Sequence, residues 1–292
     1  MSVYNHILMR RARNDCAAHY AQAAVFQQQL DEELLERLLI VKVPIRRIAV
    51  LGAGNPTVVL RLLTLFPGAS ITLLDISQVL LRRDQQSLAG TPGADVQVRV
   101  CELKALPDDD HSFDLVYSNL FLAMSDDMSH LLKEVQRVLR PGGCFHFSCL
   151  GADTFCELHA AWRTAEGSSA SHVGTMPDMH DTGDALVHAN FCEPVMDCEN
   201  FTLTYSTPAA LFADLRANGV RNCLGDRQRS LTGKQRWRRF VSALEAARLS
   251  DRYALTLEAV LGQAWKPEKA GQSRLEDGSV AIPVERLRAP RV

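Results

Sequence analysis

Two apolar segments followed by small or acidic residues form the pattern in this chain that most clearly suggests chemistry. Residues 48–51 end in Gly52-Ala53-Gly54, and residues 71–74 end in Asp75 and Ile76. This order predicts a strand, a glycine turn, a helix and a second strand, the first unit of a nucleotide-binding sheet. Glycine lets the backbone approach a ligand because it has no Cβ. The Asp75 carboxylate would then accept hydrogen bonds from ribose hydroxyls.

The residues after the turn leave three alternatives for the ligand. The dinucleotide fingerprint has a third glycine where Thr57 stands, and Pro56 before it has no backbone N–H to offer a pyrophosphate. A nucleoside without phosphates loses less from that proline. The pattern therefore favours an adenosine-type ligand over NAD or FAD, and a turn that binds nothing is the third alternative.

Further polar groups follow the next two predicted strands. Glu102 and Leu103 follow the first of them, and Asn119 and Leu120 follow the second. The predicted strands cover residues 96–100, 113–118 and 144–149. Strands that alternate with helices predict an α/β, doubly wound, mostly parallel sheet, and such sheets bind ligands at the carboxyl ends of their strands. We therefore expect all these residues at one edge of the sheet.

Composition and charge exclude several classes of function. The chain has 292 residues, 47% of them apolar, and a net charge of −2, so it has no overall attraction to nucleic acid or membranes. The sequence predicts neither a secretory leader nor a membrane span. The eight cysteines lack zinc-type spacing, and Cys101, Cys144 and Cys149 lie in or beside apolar runs. These features predict buried thiols and a cytoplasmic protein.

The N-terminal region, residues 10–40, shows the periodicity of one or two amphipathic helices. Residues 27–36 are assigned to the polar face of this region. Tyr20 is its residue of greatest interest. Half-buried packing is one role for this side chain, and closing over a ligand with its ring and hydroxyl is the other.

The order of these motifs resembles the class I S-adenosylmethionine-dependent methyltransferases. The resemblance rests on the glycine loop, Asp75, Glu102 before Ala-Leu-Pro, the segment 112–116, and the segment 137–143 that ends in Pro-Gly-Gly. It implies a Rossmann-like sheet of seven strands with an antiparallel last strand and helical lid insertions. Residues 191–205 and 254–266 would be the last two strands.

The second half of the chain is similar to BioC, the malonyl-[acyl-carrier protein] O-methyltransferase family of biotin synthesis. The similar motifs are 151–158, 172–173, 178–186, 194–197, 202–205, 214–215, Asn222 and 262–267. The resemblance covers roughly residues 9–267. We therefore predict one methyltransferase domain over 1–267, with lid and substrate insertions at about 151–190 and 206–250, and a flexible tail over 268–292.

The resemblance also implies roles for the residues at the sheet edge. S-adenosyl-L-methionine would be the cofactor, with its ribose on Asp75 and Ile76 and its adenine on Glu102 and Leu103. The backbone of Gly52, Ala53 and Gly54 would hold its amino-acid end. Asn119 and Leu120 would line the wall beside the sulfonium, and the ring of Tyr20 could lie over the cationic methyl group.

The acceptor would be the free carboxylate of a malonyl thioester, which is already ionised near neutral pH. Candidate partners for this carboxylate are His172, Arg221 and Asn222. Asp178 and His180 lie with His172 and Asp181 in a Gly-, Ser- and Met-rich stretch that we interpret as a loop over the sheet edge. Metal binding is disfavoured because the histidine spacing does not suit a helix, and capping of a helix is the alternative role for Asp181.

Six positions depart from the family pattern, among them Met124, where an aromatic ring is usual, and Asn190, where glycine is usual. Val50 stands where related enzymes usually have an acid that helps to hold the methionine part of the cofactor, and Pro56 replaces a glycine. Arg13 stands where an aromatic residue is expected, and Asp15 where an arginine is expected. These departures motivate a second hypothesis, a paralogue without transferase activity that acts as a carrier-protein-binding or assembly factor. An NAD oxidoreductase is disfavoured by Thr57.

The segment 216–239 carries eight basic residues and one acidic residue. Because acyl carrier proteins are acidic, this basic patch is predicted to dock the malonyl-loaded carrier. A solvated helix face is the alternative. RNA binding is a weaker rival because few aromatic residues are interleaved with the charges.

Overall fold

Strands and helices alternate through the first half of the chain in the computed structural model, which describes residues 3–167, 172–268, 273–274 and 280–281. The strands are β1 Arg47–Leu51, β2 Ser70–Asp75, β3 Asp95–Val100, β4 Phe113–Asn119, β5 Leu139–Leu150, β6 Cys192–Tyr205 and β7 Tyr253–Trp265. The helices are α1 His6–Cys16, α2 Tyr20–Ala23, α3 Val25–Arg37, α4 Pro56–Leu65, α5 Gln78–Leu88, α6 Met128–Val138, α7 Cys156–Glu166, α8 Met179–His188, α9 Pro208–Ala217 and α10 Lys234–Ala246.

The seven strands form one sheet in the order β3-β2-β1-β4-β5-β7-β6. The first five strands are parallel, and β7 runs antiparallel to both β5 and β6. The chain winds outward in one direction from β1 to β3 and in the other from β4 to β5. Ligands of such sheets bind where this direction switches, beyond the carboxyl ends of β1 and β4. The predicted fold class is confirmed.

Alternate residues of the central strands enter two apolar clusters, one on each face of the sheet. Ile48 and Val50 of β1 belong to the cluster that contains Tyr117, whereas Ala49 and Leu51 belong to the other cluster. This alternation follows from the two-residue repeat of a strand. Because both faces are buried, the strands appear in the sequence as continuous apolar runs.

The helices that follow the strands begin at residues suited to that position. Pro56 occupies the first turn of α4, where its missing N–H has no partner to lose. Ser77 caps α5 by accepting a hydrogen bond from Leu80 N, and Asp127 caps α6 in the same way. These caps fix where the loops at the carboxyl edge end.

The two insertions are largely helical. Helices α7 and α8 connect β5 to β6, and α9 and α10 connect β6 to β7. The ring of Trp162 in α7 stacks on Phe240 in α10 at a centroid distance of 4.2 Å, which joins the insertions. Our interpretation of this stretch as loop holds for residues 172–178, which form neither helix nor strand, but is wrong for His180 and Asp181, because α8 begins at Met179 and buries Leu186 against the core.

One further correction concerns the start of a strand. Strand β5 begins at Leu139, not at residue 144, because Leu139 pairs with Phe113 of β4. The predicted tail, 268–292, lies outside the described residues apart from Glu268 and two short antiparallel strands, Ser273–Arg274 and Val280–Ala281. The extent of the domain over 1–267 stays a prediction.

The cysteine predictions can be compared with the structure directly. Cys101, Cys144 and Cys149 are buried as predicted, and burial raises the pKa of the Cys149 thiol to about 12. None of the helices within the described ranges is long and apolar enough to span a membrane. The cytoplasmic location stays a prediction.

Candidate active site

A cavity of about 860 Å³ lies beyond the carboxyl ends of β1 and β4. The N-terminal helices, the insertion helices and the segment around residue 220 complete its wall, which is mostly apolar. Eight of the predicted site residues line it: Tyr20, Gly52, Ala53, Asn119, Leu120, His172, Arg221 and Asn222. The sequence therefore predicted the position of the cavity, and the parallel strands explain why residues far apart in the chain meet there.

The glycine turn after β1 is shaped by a close contact with Tyr20. Gly52 and Gly54 have φ angles of +106° and +119°, which side chains other than glycine rarely adopt. A Cβ on Gly54 would lie 2.5 Å from the ring of Tyr20. The backbone N of Gly54 donates to Asp84 Oδ2 at 2.6 Å. Both predicted glycines are therefore required by the geometry of the turn.

Asp75 lies at the end of β2, as predicted, but it is fully buried and does not line the cavity among the described residues. Its Oδ2 accepts from Ala53 N at 2.8 Å and from Arg13 Nη2 at 2.5 Å, and its Oδ1 accepts from Ser77 N at 2.7 Å. Arg13 therefore lies over the carboxylate that the sequence assigns to the ribose. The ribose role of Asp75 stays a prediction.

Arg13 joins the glycine turn, the second strand and Tyr20. Its Nη2 also donates to Ala53 O at 2.9 Å, and its guanidinium carbon lies 5.1 Å from the centre of the Tyr20 ring. Burial alone would lower the pKa of Arg13, but the Asp75 carboxylate beside it more than offsets that effect and raises it. The sequence marked Arg13 only as a departure from the family pattern, and its contact with Asp75 was missed.

Asp31 is a cavity residue that the sequence analysis missed. It lies on α3, and only 5% of it is exposed, so its assignment to the polar face is wrong. Its Oδ1 accepts from the Tyr117 hydroxyl and its Oδ2 from Asn55 Nδ2, both at 2.7 Å. Burial raises the pKa of the Asp31 carboxyl to about 6, although these hydrogen bonds lower it in part. The available signal was its helical spacing from Leu34 and Leu38, which places it on the buried face.

The predicted substrate residues His172, Arg221 and Asn222 line the cavity from segments outside the sheet. The ring of His172 stacks on Trp162 at 3.6 Å between centroids, and its Nε2 lies 3.1 Å from Glu166 Oε2. Arg221 pairs with Asp15 at 3.0 Å. The side chain of Asn222 accepts from Leu224 N at 3.1 Å. The cavity wall thus includes a cationic and an amide side chain, as an anionic substrate requires.

Several predicted site residues do not line the cavity. Asp178 is exposed and caps α8 by accepting from Asp181 N at 2.7 Å, and His180 is exposed on that helix. Glu102 is exposed, while Ile76 and Leu103 are buried in the apolar core. Within the described parts of the chain, no three His, Cys, Asp or Glu side chains lie close enough together to hold a metal ion.

The sheet order, the glycine turn and the cavity define the fold of the class I methyltransferases. A family model described as a methyltransferase domain matches residues 50–147. The structure is similar to a putative methyltransferase from Bacillus halodurans, with a TM-score of 0.58 and 14% identity, over 81% of this chain and 98% of that one. It is equally similar to the YcgJ protein from Bacillus subtilis, with a TM-score of 0.58 and 15% identity, over 82% and 100%. At these identities the likeness establishes the fold alone.

Sequence relatives define the family more narrowly. The malonyl-[acyl-carrier protein] O-methyltransferase of Nitrosospira multiformis is 35% identical, over 90% of this chain and 91% of that protein. The enzyme of the same name from Laribacter hongkongensis is 37% identical, over 92% of both chains. The chain therefore belongs to the malonyl-[acyl-carrier protein] O-methyltransferase family, which confirms the resemblance. These relatives give no support to the alternative of a non-catalytic paralogue.

Proposed function

We propose that this chain transfers a methyl group from S-adenosyl-L-methionine to the free carboxylate of a malonyl thioester on acyl carrier protein, an early step of biotin synthesis. The observation that carries the proposal is the 35–37% identity to enzymes of that name along nine-tenths of the chain. The cavity supports it because it lies where class I methyltransferases hold their ligands.

The residues around the cavity suit S-adenosyl-L-methionine, a ligand with a cationic sulfonium and an apolar body. The wall is mostly apolar, and the Tyr20 ring and the Asp31 carboxylate provide groups that attract cations. The glycine turn presents backbone without Cβ atoms. Arg13 differs from expectation, because its guanidinium, not a bare Asp75 carboxylate, faces the cavity beside Ala53.

When bound, the cofactor supplies an electrophilic methyl group. A malonyl carboxylate oxygen forms the new O–C bond as the S–C bond breaks, and no proton has to move because the carboxylate is already ionised. One positive and one negative charge disappear in this step. The apolar wall and the insertion helices exclude water and align the two reactants, and these effects are the chain's main contribution to the rate.

The malonyl carboxylate must be held near the cofactor by polar side chains of the cavity wall. His172 is held in place by Trp162 and Glu166, whereas the paired charge of Arg221 lies at the rim with Asp15. His172 and Asn222 can therefore orient the substrate from inside the cavity. Arg221 can attract it at the entrance.

The activity is tested by incubating the protein with S-adenosyl-L-methionine and malonyl-loaded acyl carrier protein. Mass spectrometry should detect the malonyl methyl ester on the carrier. Acetyl-loaded carrier is the matched control, because it lacks the free carboxylate and should give no product. Absence of the ester, together with absence of cofactor binding by calorimetry at millimolar concentration, would contradict the proposal.

The acyl carrier protein would dock on the basic patch, residues 216–239. Arg236 is partly neutralised by Glu166, 3.3 Å away, but Arg229, Arg238 and Arg239 are exposed and form no ion pair within the described parts of the chain. Trp237 lies beside them and is 39% exposed. Unpaired positive charge around an aromatic side chain suits an acidic partner protein.

Charge reversal separates docking from catalysis. The double variant Arg238→Glu/Arg239→Glu should raise KM for malonyl-loaded carrier about tenfold or more at low salt and leave KM for malonyl-CoA unchanged. Arg61→Glu/Arg82→Glu, on exposed positions of α4 and α5, is the matched control. An unchanged KM for the carrier substrate would show that the patch has no docking role.

A further inference from the structure

Asp31 is a buried carboxylate without a cation. Both of its oxygens accept hydrogen bonds, but the donors, Tyr117 and Asn55, are neutral. No basic side chain in residues 3–167 or 172–268 forms an ion pair with it. A buried carboxylate normally requires a charged partner, because hydrogen bonds alone repay only part of its lost hydration.

Other buried carboxylates of the chain have such a partner or a nearby positive charge. Asp75 pairs with Arg13, Asp108 with Arg99, and Asp114 with Arg140. Asp84 lies behind the glycine turn, outside the cavity wall, and the charge of Arg83 lowers its pKa in part. Asp31 alone among these five carboxylates lines the cavity. Its missing cation can therefore come from a ligand.

The position of Asp31 identifies which part of the ligand it faces. Asn55, which holds one of its oxygens, follows the glycine turn directly. Tyr117, which holds the other, pairs with Val50 across β1 and β4, so the two side chains lie on the same face of the sheet. Val50 is the position where the family pattern has an acid. The carboxylate absent from β1 is thus present on α3, held over the same strand end by Tyr117.

The geometry points to Asp31 as the residue that binds the α-ammonium group of S-adenosyl-L-methionine. This inference rests on the proposed function, since it names a contact of the proposed cofactor. An ammonium group fits the site better than the sulfonium does, because its N–H groups can donate to carboxylate oxygens and a sulfonium has none. The glycine turn beside Asn55 is also where the amino-acid end of the cofactor is expected.

Three ligands test the assignment by isothermal calorimetry on the full chain. S-adenosylmethionine and S-adenosylhomocysteine both carry the ammonium, and only the first carries the sulfonium. Methylthioadenosine carries neither. Asp31→Asn should weaken binding of the first two ligands by about 10- to 100-fold and leave methylthioadenosine unchanged. Glu32→Gln, an exposed change on the same helix, is the matched control and should leave all three affinities unchanged.

Each other outcome overturns the assignment. Equal loss for all three ligands would show a structural role, loss for S-adenosylmethionine alone would place Asp31 at the sulfonium, and no loss would leave it without a binding role. If wild-type protein binds methylthioadenosine but neither of the larger ligands, the inference fails. If it binds none of the three, the proposed function itself fails, and the two failures are therefore distinguishable.

A measurement on the wild-type protein covers the case in which Asp31→Asn does not fold. The titratable groups that face Asp31 are Tyr117 from β4 and Tyr20 from α2, and burial raises the pKa of both hydroxyls, so both stay neutral. At pH 6, binding of S-adenosylhomocysteine should release protons from Asp31, and binding of methylthioadenosine should not. Calorimetry in two buffers of different ionisation enthalpy measures this release. Equal release with both ligands, or none with either, overturns the assignment.

Discussion

Asp31 and Asp75 are two buried carboxylates on either side of the same glycine turn, and they are neutralised in different ways. Asp75 accepts from two backbone N–H groups and from Arg13, so its charge is balanced within the protein. Asp31 accepts from the Tyr117 hydroxyl and from neutral side-chain amides. A carboxylate that is already paired holds the fold together, whereas one that lacks a cation is prepared for a charged ligand.

This difference changes which side chain is expected to contact the ribose of the cofactor. The sequence assigns the ribose to Asp75, but Arg13 lies over that carboxylate and lines the cavity in its place. A guanidinium can itself donate to ribose oxygens. We therefore expect Asp75 to act on the ribose by positioning the Arg13 guanidinium.

The largest expected effect comes from breaking the internal pair. Arg13→Met should lower the free energy of unfolding by about 3–5 kcal/mol, because it leaves the Asp75 carboxylate buried without its cation. Urea denaturation followed by circular dichroism measures the change. Arg10→Met, on an exposed position of α1, is the matched control and should change the free energy of unfolding by less than about 0.5 kcal/mol.

A small effect of Arg13→Met on the free energy of unfolding would contradict the contrast between the paired Asp75 and the unpaired Asp31. It would mean that Asp75 is solvated or protonated in the variant and that its pairing with Arg13 is not what stabilises the turn. The double variant Arg13→Met/Asp75→Asn sharpens the test. It should recover part of the lost stability, since it removes the unpaired charge.

A smaller effect, with a defined pH dependence, is expected at Asp31. Its pKa is raised from 3.8 to about 6 in the folded chain, so the folded state holds a proton more tightly than the unfolded state. The contribution of this raised pKa to the free energy of unfolding is fully present below about pH 4 and is lost as the pH rises through 6. Asp31→Asn has no charge to bury. Without ligand, the free energy of unfolding of Asp31→Asn minus that of the wild type should therefore increase by about 2–3 kcal/mol from pH 4 to pH 7.

Denaturation curves at several pH values measure this difference, with Glu32→Gln as the control, for which the difference should stay flat. A flat difference for Asp31→Asn as well would show that the Asp31 carboxyl is not destabilised by burial. The opposite sign would show that a cation of the protein neutralises it. Either result would remove the contrast with Asp75.

The sheet could be predicted from the sequence because its signals are local. The run 48–51, the glycines after it and Asp75 are local features, and the central strands β1 and β4 are apolar on both faces. The position of the site at the carboxyl edge of the sheet could be predicted from the strand topology alone. The insertion helices were harder to predict, because α8 depends on a cap by Asp178 within a stretch rich in glycine and serine.

The predicted site residues that line the cavity are strand-end residues and four residues outside the sheet, Tyr20, His172, Arg221 and Asn222. Gly52 and Asn119 line the cavity because their strands end there. Asp31 and Arg13 were missed because each acts through a residue distant in sequence, 86 residues away for the Tyr117 hydroxyl and 62 for the Asp75 carboxylate. A polar residue with the spacing of buried leucines was the signal for Asp31. Only the packing of α3 against β4 shows that it faces a ligand.

The smallest expected effect concerns the hydroxyl that supports Asp31. Tyr117→Phe removes one donor to the carboxylate, so the pKa of Asp31 should rise further. At pH 7 a larger fraction of the carboxyl is then neutral and cannot attract an ammonium group. We expect the affinity for S-adenosylhomocysteine to fall roughly 3- to 10-fold at pH 7. The pH below which binding weakens should move upward.

A second tyrosine–aspartate pair in the same cavity provides the control for this change. The Tyr205 hydroxyl donates to Asp214 Oδ2 at 2.6 Å, on the side formed by β6 and α9. Tyr205→Phe should leave both the affinity and its pH dependence unchanged, because that pair lies away from the glycine turn. If the two variants shift the pH dependence equally, the effect comes from a general change in the cavity. If only Tyr117→Phe shifts the pH dependence, the effect is specific to Asp31. The reason is that the ammonium group of the ligand binds the ionised Asp31 carboxylate, and loss of the Tyr117 donor makes that ionised form less stable.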